Sequence, residues 1–118
     1  MILAFFLWRT SEGMFSSMGW ATGHIEQLAQ CEAVSFRPRG QSMRGKIRSG
    51  QLCHVAPIAP DTELKKGDIV LCKVRSAQYL HLIKAVKGER FQIGNNIGGI
   101  NGWIRRDQIF GLLTSLGA

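Results

Sequence analysis

Short apolar runs separated by turn-forming residues fill the chain from residue 33 onwards. Six of these runs are rich in β-branched and aromatic side chains, and each is bounded by Gly, Pro, Asp or Asn. They are AVSF (33–36), QLCHVAPI (51–58), DIVLCKV (68–74), QYLHLIKAV (78–86), RFQIG (90–94) and QIFGLLT (108–114). Together with fourteen glycines, this pattern predicts a twisted, coiled, mostly-β domain rather than a layered α/β fold.

Turn chemistry separates the apolar runs at KKGD (65–68), VKGER (86–90) and GNNIGGINGW (94–103). Adjacent Asn and Gly residues permit positive φ, so we interpret the last segment as tight hairpin turns. Within it, Asn101 and Trp103 are assigned turn or core roles, with a place at the border of a cleft as the alternative.

One helix is predicted before the strands. In TGHIEQLAQC (22–31), Ile25, Leu28 and Ala29 recur at i, i+3 and i+4, which is typical of a short amphipathic helix. Thr22 is the predicted N-cap, because a hydroxyl oxygen at that position accepts a hydrogen bond from the first turn.

Length and composition limit the chain to one folded domain. It has 118 residues, of which 45% are apolar and 19% charged, and this balance argues against disorder. Only eight apolar residues precede Arg9, fewer than the ~20 that cross a bilayer, so neither a transmembrane anchor nor a signal peptide is predicted. We expect a cytoplasmic protein with a separate apolar segment at 1–20, either flexible or docked on a partner, and one domain at 21–118.

The formal charge of +7 favours acidic or polyanionic partners. Five cations crowd one loop: Arg37, Arg39, Arg44, Lys46 and Arg48. Three interpretations are open, namely an exposed strand edge, a binding patch for an acidic peptide or protein, and phosphate contacts with nucleic acid. Nucleic acid is the secondary reading, since there is no basic helix and no interleaved set of aromatics on which bases would stack.

The cysteines Cys31, Cys53 and Cys72 show neither a close pairing nor metal-ligand spacing. We predict reduced thiols that pack as small buried hydrophobes, and neither a metal site nor a cofactor. His24 and His54 have no visible partner in the sequence.

A serine flanked by glycines and one strand histidine are the candidates for chemistry. Ser42 lies between Gly40 and Gly45, and glycines let a main chain approach a ligand closely. A serine needs a base within hydrogen-bond distance to act as a nucleophile. His81, in the middle of a predicted strand, is the easier base because its usual pKa of ~6.5 needs little adjustment. Lys84 is the competing base, but it lies on the opposite face of that strand and starts near ~10.4.

Four motifs occur in a recognisable order: GQSMRGKIRSGQLCHVAP (40–57), LKKGDIVLCKV (64–74), YLHLIKAV (79–86) and FQIGNN (91–96). In order and spacing they resemble the LexA-like and signal-peptidase-like serine peptidases, over about residues 36–96 with a weaker tail at 103–113. The resemblance implies a mostly-β fold, a coiled, twisted sheet or partly open barrel with one short N-terminal helix. It also implies that Ser42 is the nucleophile, with its N–H in the oxyanion hole, and that His81 is the general base. Met43 would pack beneath the substrate groove.

The chain departs from these families at the residue that would orient the base. Histidine-type relatives carry Gly-Asp-Asn-Asn, whereas this chain has Gly94-Asn95-Asn96, so Asn95 becomes the candidate that holds the imidazole through its amide oxygen. Gln51 replaces the acid that often follows Gly50. A neutral amide stabilises imidazolium less than a carboxylate does, and the rate is expected to fall accordingly.

Two functions stay open at this point. One is a small soluble serine peptidase with a Ser42–His81 dyad that acts on itself or on one protein partner. The other is a catalytically weak or inactive binding module, an adaptor or regulator that uses its basic surface. The resemblance also implies that QIFGLLTSL (108–116) pairs with its own copy in a homodimer.

Overall fold

The computed structural model describes residues 19–118, which form one seven-stranded antiparallel sheet with its connecting loops and one short helix. The strands are β1 (Val34–Phe36), β2 (Cys53–Pro57), β3 (Ile69–Val74), β4 (Ala77–Lys87), β5 (Arg90–Gly94), β6 (Ile100–Arg105) and β7 (Ile109–Leu116). Their order in the sheet is β1-β2-β7-β3-β4-β5-β6, so the sheet has two edges and is not closed. One short helix, α1 (Thr22–Ala29), precedes the strands, and a 3-10 turn (Arg106–Gln108) joins β6 to β7. The predicted mostly-β fold with one short helix is confirmed.

The six predicted runs all form strands, with burial that alternates along β1 and β2 and is continuous in the middle of β3 and β4, which lie inside the sheet. The seventh strand, β6, lies where the sequence was interpreted as hairpin turns. Asn101 and Trp103 both lie on β6, at an edge of the sheet. Trp103 is 44% exposed, so its predicted core role is wrong. Gly102 has φ +148°, and the glycine at this position gave the segment the composition of a turn, so no strand was predicted there.

The long strand β4 organises the part of the sheet that matters for chemistry. It pairs with β3 on one side and β5 on the other, and His81 lies opposite Val70 in the β3 register. On its other side, β5 pairs with β6, which is the edge strand next to it. A single central strand thus brings residues from β5 and β6 close to His81.

Apolar residues pack on both faces of the sheet. One cluster joins α1 to β1, β2 and the neighbouring ends of β3 and β4, and it includes Leu28, Val55 and Leu71. The other joins β3, β4, β5 and β6, and it includes Ile83 and Ile93. Gly111 in β7 permits the close approach of the helix, since a Cβ there would lie 2.9 Å from Leu28 Cδ1.

The helix begins at Thr22, but Thr22 is not its N-cap. Ala21 holds that position and makes no side-chain cap hydrogen bond. The hydroxyl of Thr22 instead accepts hydrogen bonds from the Gly19 N–H and from Gln78 Nε2, both at 3.0 Å. The N-cap prediction is therefore wrong, because the hydroxyl bonds to the preceding turn and to β4 rather than to the first turn of the helix.

Gln78, a buried amide on β4, fixes the segment before the helix. Its Oε1 accepts the Ala21 N–H at 2.7 Å, and its main-chain oxygen accepts Trp20 Nε1 at 3.0 Å. Trp20 also contacts Phe36 edge to face, with ring centroids 5.5 Å apart. Of the predicted apolar segment at 1–20, residues 1–18 lie outside the described residues, while Gly19 and Trp20 pack against the domain.

No helix within residues 19–118 has the length and hydropathy that crossing a membrane requires. The C-terminal strand β7 is internal to the sheet, where Gly111 and Leu112 pair with both β2 and β3. The homodimer through residues 108–116 stays a prediction. Beyond Leu112, β7 pairs with β2 on one side and, within the described residues, has no pairing with β3 on the other.

Candidate active site

Ser42 lies in a loop, residues 37–52, whose two limbs are hydrogen-bonded to each other. The Gly50 N–H donates to the Pro38 carbonyl at 2.7 Å, and the Gly40 N–H donates to Ser49 Oγ at 3.0 Å. At the tip, the Ile47 N–H donates to the Met43 carbonyl at 2.8 Å and closes a tight turn. The loop is therefore held in shape although it contains neither strand nor α-helix.

Two apolar side chains attach the loop to the core. Met43 and Ile47 are 6% and 4% exposed, and both pack in the cluster that includes Leu71 and Leu80. Met43 also lines the cleft described below, as Ser42 does, and its place beneath a substrate groove stays a prediction. Burying these two side chains limits how far the serine between the limbs can move.

A second attachment comes from Asn96, in the connection between β5 and β6. Its main-chain N–H donates to the Ser42 carbonyl at 2.9 Å, and its Nδ2 donates to the Arg44 carbonyl at 2.8 Å. One asparagine thus holds the main chain on both sides of Met43. The sequence did not single out this residue, although its place in the FQIGNN motif was the available signal.

His81 projects from β4 towards the loop and is 6% exposed. Its Nε2 lies 3.1 Å from Ser42 Oγ, and its Nδ1 lies 2.7 Å from Asn101 Oδ1 on β6. An amide oxygen only accepts hydrogen bonds, so Nδ1 carries the proton and donates to Asn101. The lone pair of Nε2 then faces the Ser42 hydroxyl, which is the arrangement that a general base requires.

The residue that orients His81 is Asn101, and the prediction of Asn95 for this role is wrong. The side-chain oxygen of Asn95 accepts the N–H of Ile97 at 3.0 Å and that of Gly99 at 2.7 Å. It therefore stabilises the turn between β5 and β6 and does not bond to the imidazole. Asn101 was placed in a turn because β6 was not recognised, so its amide was not considered as the partner of the base.

Burial lowers the pKa of His81 below its usual value, and the hydrogen bond to Asn101 opposes this effect. The desolvated site disfavours imidazolium because a charge there loses its hydration. Tyr79 stacks on the imidazole, with ring centroids 4.7 Å apart and an interplanar angle of 30°. His81 is therefore neutral near pH 7 and able to accept a proton.

Lys84, the competing base in the sequence, is held elsewhere. Its Nζ donates to the Asn95 carbonyl at 3.1 Å, and Lys84 does not line the cleft at Ser42. Within residues 19–118, the Ser42 hydroxyl makes one hydrogen bond to a side chain, and that side chain is His81.

A second Ser–His pair exists on the opposite part of the sheet. Ser35 Oγ lies 2.7 Å from His54 Nδ1, where β1 pairs with β2. This pair is exposed, and neither residue lines the cleft. His54, which had no visible partner in the sequence, therefore bonds to a surface serine across a strand pair.

Ser42 and His81 line a cleft with a volume of about 690 Å³. Apolar parts of its wall come from Trp20, Met43 and Leu80, and Asn101 lies at its base beside the imidazole. Of the five loop cations, Arg37, Arg39 and Arg48 line the cleft. Arg44 and Lys46 do not, so the predicted patch divides into a cleft-facing part and a part that points elsewhere.

The cysteines play no part in this site. Cys53 and Cys72 are fully buried, and burial raises the pKa of both thiols, that of Cys72 to about 12. Cys31 is exposed, so the prediction that it is a buried hydrophobe is wrong. Within residues 19–118, no three or more His, Cys, Asp or Glu side chains come together as a set that could hold a metal ion.

The main-chain N–H of Ser42 makes no hydrogen bond to an acceptor in residues 19–118. The site thus combines a hydroxyl, a neutral imidazole with its lone pair towards that hydroxyl, and an available N–H donor beside an open cleft. Neither protein-family models nor curated proteins give a match to this chain. What the site does is therefore inferred from its own geometry.

Proposed function

We propose that the protein is a serine peptidase in which Ser42 is the nucleophile and His81 the general base. The observation that carries the proposal is the 3.1 Å separation of Ser42 Oγ and His81 Nε2 inside an open cleft. The motif order that resembles the LexA-like and signal-peptidase-like peptidases agrees with it. The reduced buried cysteines fit a cytoplasmic protein, which we include in the proposal.

Acylation starts when the Ser42 oxygen attacks the carbonyl carbon of a peptide bond in the cleft. The hydroxyl proton passes to His81 Nε2 as the new C–O bond forms, and the carbonyl electrons move onto the oxygen. The imidazolium then gives that proton to the leaving amine, and the C–N bond breaks. Water repeats the sequence on the acyl-enzyme, again with His81 as base, and releases the acid and the free serine.

The tetrahedral oxyanion needs donors that are in place before the reaction. The N–H of Ser42, without an acceptor among the described residues, is the donor that we assign to it. The attachments at Met43, Ile47 and Asn96 hold this part of the main chain, so the N–H does not have to be ordered at each turnover.

Asn101 keeps the imidazole in the productive tautomer, but it brings no charge. A neutral amide stabilises the imidazolium that forms during the reaction less than a carboxylate does. We therefore expect a slow enzyme, suited to a few cleavage events on one partner rather than to rapid turnover.

A fluorophosphonate probe tests the nucleophile directly. The Ser42 oxygen would displace fluoride from phosphorus, its proton would leave through His81, and the protein would gain the mass of the phosphonyl group. We expect one addition in the wild type and none in Ser42→Ala, with at least a hundredfold slower labelling in His81→Gln, on the order expected for loss of a general base. Ser35→Ala is the matched control, because it removes the serine of the surface Ser–His pair.

Peptide cleavage completes the test. A mixture of unstructured peptides incubated between about pH 6 and 10, a range in which a histidine base becomes increasingly neutral, should show new termini with the wild type and Ser35→Ala but not with Ser42→Ala. Identical digests from the wild type and Ser42→Ala, together with no labelling by fluorophosphonate, would rule out the peptidase.

The neutral partner of His81 favours one other function, a peptidase-fold binding module that no longer turns over. In that case the cleft would bind its partner with equal affinity in the wild type and in Ser42→Ala. No labelling and no cleavage, with binding intact, would select this function over the enzyme.

A further inference from the structure

Three arginines line the cleft, and two of them have no partner in the described part of the chain. The guanidinium of Arg37 donates to the main-chain oxygens of Gly50 and Ala118. Arg39 and Arg48 form no side-chain hydrogen bond or ion pair within residues 19–118, where the two ion pairs are Lys65–Asp68 and Arg105–Asp107.

The fold of the loop places Arg39 and Arg48 beside each other. Arg39 lies between Pro38 and Gly40, and these two residues bond to Gly50 and Ser49 on the other limb. Because Arg48 precedes Ser49 directly, the main chain at the two arginines belongs to limbs that these hydrogen bonds join. Both line the cleft that also contains Ser42.

The lining of this cleft contains no aspartate or glutamate from the described residues. Two unpaired guanidinium groups at one mouth, with no acidic side chain in the wall, raise the local potential for an anion. A guanidinium binds a carboxylate through two parallel hydrogen bonds, which gives position as well as attraction.

We propose that the cleft selects peptides that carry aspartate or glutamate close to the bond presented to Ser42, and that Arg39 and Arg48 bind these carboxylates. This inference rests on the proposed peptidase function for its cleavage part, while its binding part stands without it. A peptide suits the cleft better than nucleic acid does, because the wall includes the apolar side chains of Met43 and Leu80, against which peptide side chains can pack, and because Arg44 and Lys46 of the same loop do not line it.

Binding is measured with Ser42→Ala, so that no cleavage occurs, and with two fluorescein-labelled mixtures of decapeptides. The mixtures have the same randomised uncharged positions and differ in carrying two glutamates or two glutamines at fixed sites. We expect about three- to tenfold tighter binding of the glutamate mixture by fluorescence polarisation, the size expected for two partly exposed ion pairs. Raising the salt from about 50 to 300 mM should shrink the difference.

Two double variants with the same change in charge separate the cleft from the general field. Arg39→Gln/Arg48→Gln should abolish the preference for glutamate, whereas Arg44→Gln/Lys46→Gln, whose side chains do not line the cleft, should keep it. Equal loss in both variants, or no preference in the parent protein, would overturn the inference. If a double variant does not fold, its two single variants are compared in its place.

A fluorescein-labelled single-stranded oligonucleotide is the competing probe. If it binds more tightly than the glutamate mixture and depends on Arg39 and Arg48, the cleft is a nucleic-acid site and the inference fails. With the active protein, equal cleavage of both peptide mixtures would refute acidic selection and leave the peptidase in place. Preferential binding of the glutamate mixture without any cleavage would refute the peptidase and leave acidic selection in place.

Discussion

The Nδ1 of His81 lies 2.7 Å from the amide oxygen of Asn101, which reaches it from an edge strand of the sheet. This contact sets the tautomer of the imidazole and directs the lone pair of Nε2 towards Ser42. An uncharged residue does here what a carboxylate does in a serine triad. The imidazole of His81 is therefore oriented as in a serine triad, but the residue that orients it is neutral.

Asn101→Asp should make the site more basic and faster. A carboxylate beside Nδ1–H stabilises imidazolium, so the pKa of His81 should rise by roughly one unit or more. We expect the acid limb of the pH–rate profile to move to higher pH and the fluorophosphonate reaction to accelerate by at least about tenfold. Asn101→Leu, which keeps the volume but removes the acceptor, should slow it. Equal rates in all three proteins would show that Asn101 does not position the base.

Stability should fall in mild acid because of the buried histidines. Burial lowers the pKa of His81, and also that of His24, below the usual ~6.5. The unfolded chain therefore gains these protons before the folded protein does, and the free energy of unfolding falls as the pH drops below about 6.5. Urea unfolding at several pH values measures the slope, which is at most about 1.4 kcal/mol per pH unit for each group. His81→Gln should reduce the slope, and an unchanged slope would contradict this assignment.

Gly45→Ala should damage both the loop and the activity. Gly45 has φ +95°, and a Cβ there would lie 3.0 Å from the Asn96 Nδ2 that donates to the Arg44 carbonyl. The strain should cost about 1–2 kcal/mol, with about 1 kcal/mol more for the weakened hydrogen bond.

Gly98→Ala is the matched control for this change. Gly98 has φ +96°, but a Cβ there has no heavy atom within 4 Å. Both variants should lose stability in urea unfolding from the strained backbone, and only Gly45→Ala should also lose most of its fluorophosphonate reactivity. Equal losses of reactivity would show that Asn96 does not hold the nucleophile.

Thiol labelling should separate the three cysteines in the native protein. Cys72 is buried and its pKa is raised to about 12, and Cys53 is buried with a raised pKa, so neither presents a thiolate to the reagent. Iodoacetamide at pH 8 should therefore add one group, on Cys31, and three after denaturation. Native Cys31→Ser should take none. A second fast addition would mean that the strands around Cys53 or Cys72 open readily.

The strands were predictable because their signal is local. Each run from AVSF to QIFGLLT carries its own alternation and its own boundaries, and all six form strands. The strand β6 was missed for the same reason, since Gly98, Gly99 and Gly102 give the sequence around it the composition of a turn. Pairing with β5 overrides that local preference.

The choice between Asn95 and Asn101 was not local. Asn101 reaches His81 from β6, whose pairing with β5 shifts between Ile93 and Gly94, whereas the Asn95 side chain bonds within the turn. One residue of slip in a strand moves a side chain to the other face, so the composition of GNNIGGIN leaves this choice open. The sequence also left open which of the five loop cations line the cleft. Arg39 and Arg48 line it whereas Arg44 and Lys46 do not, and this difference depends on how the loop closes.

The sequence by itself determined six of the seven strands, the single helix and the two side chains proposed for chemistry, because periodicity and residue type are properties of short segments. The tertiary structure decided the distance between Ser42 and His81, the partner of His81 and the cations that line the cleft. Those features depend on strand register and loop closure across the fold. Both are set by the simultaneous packing of residues far apart along the chain, which no single segment encodes.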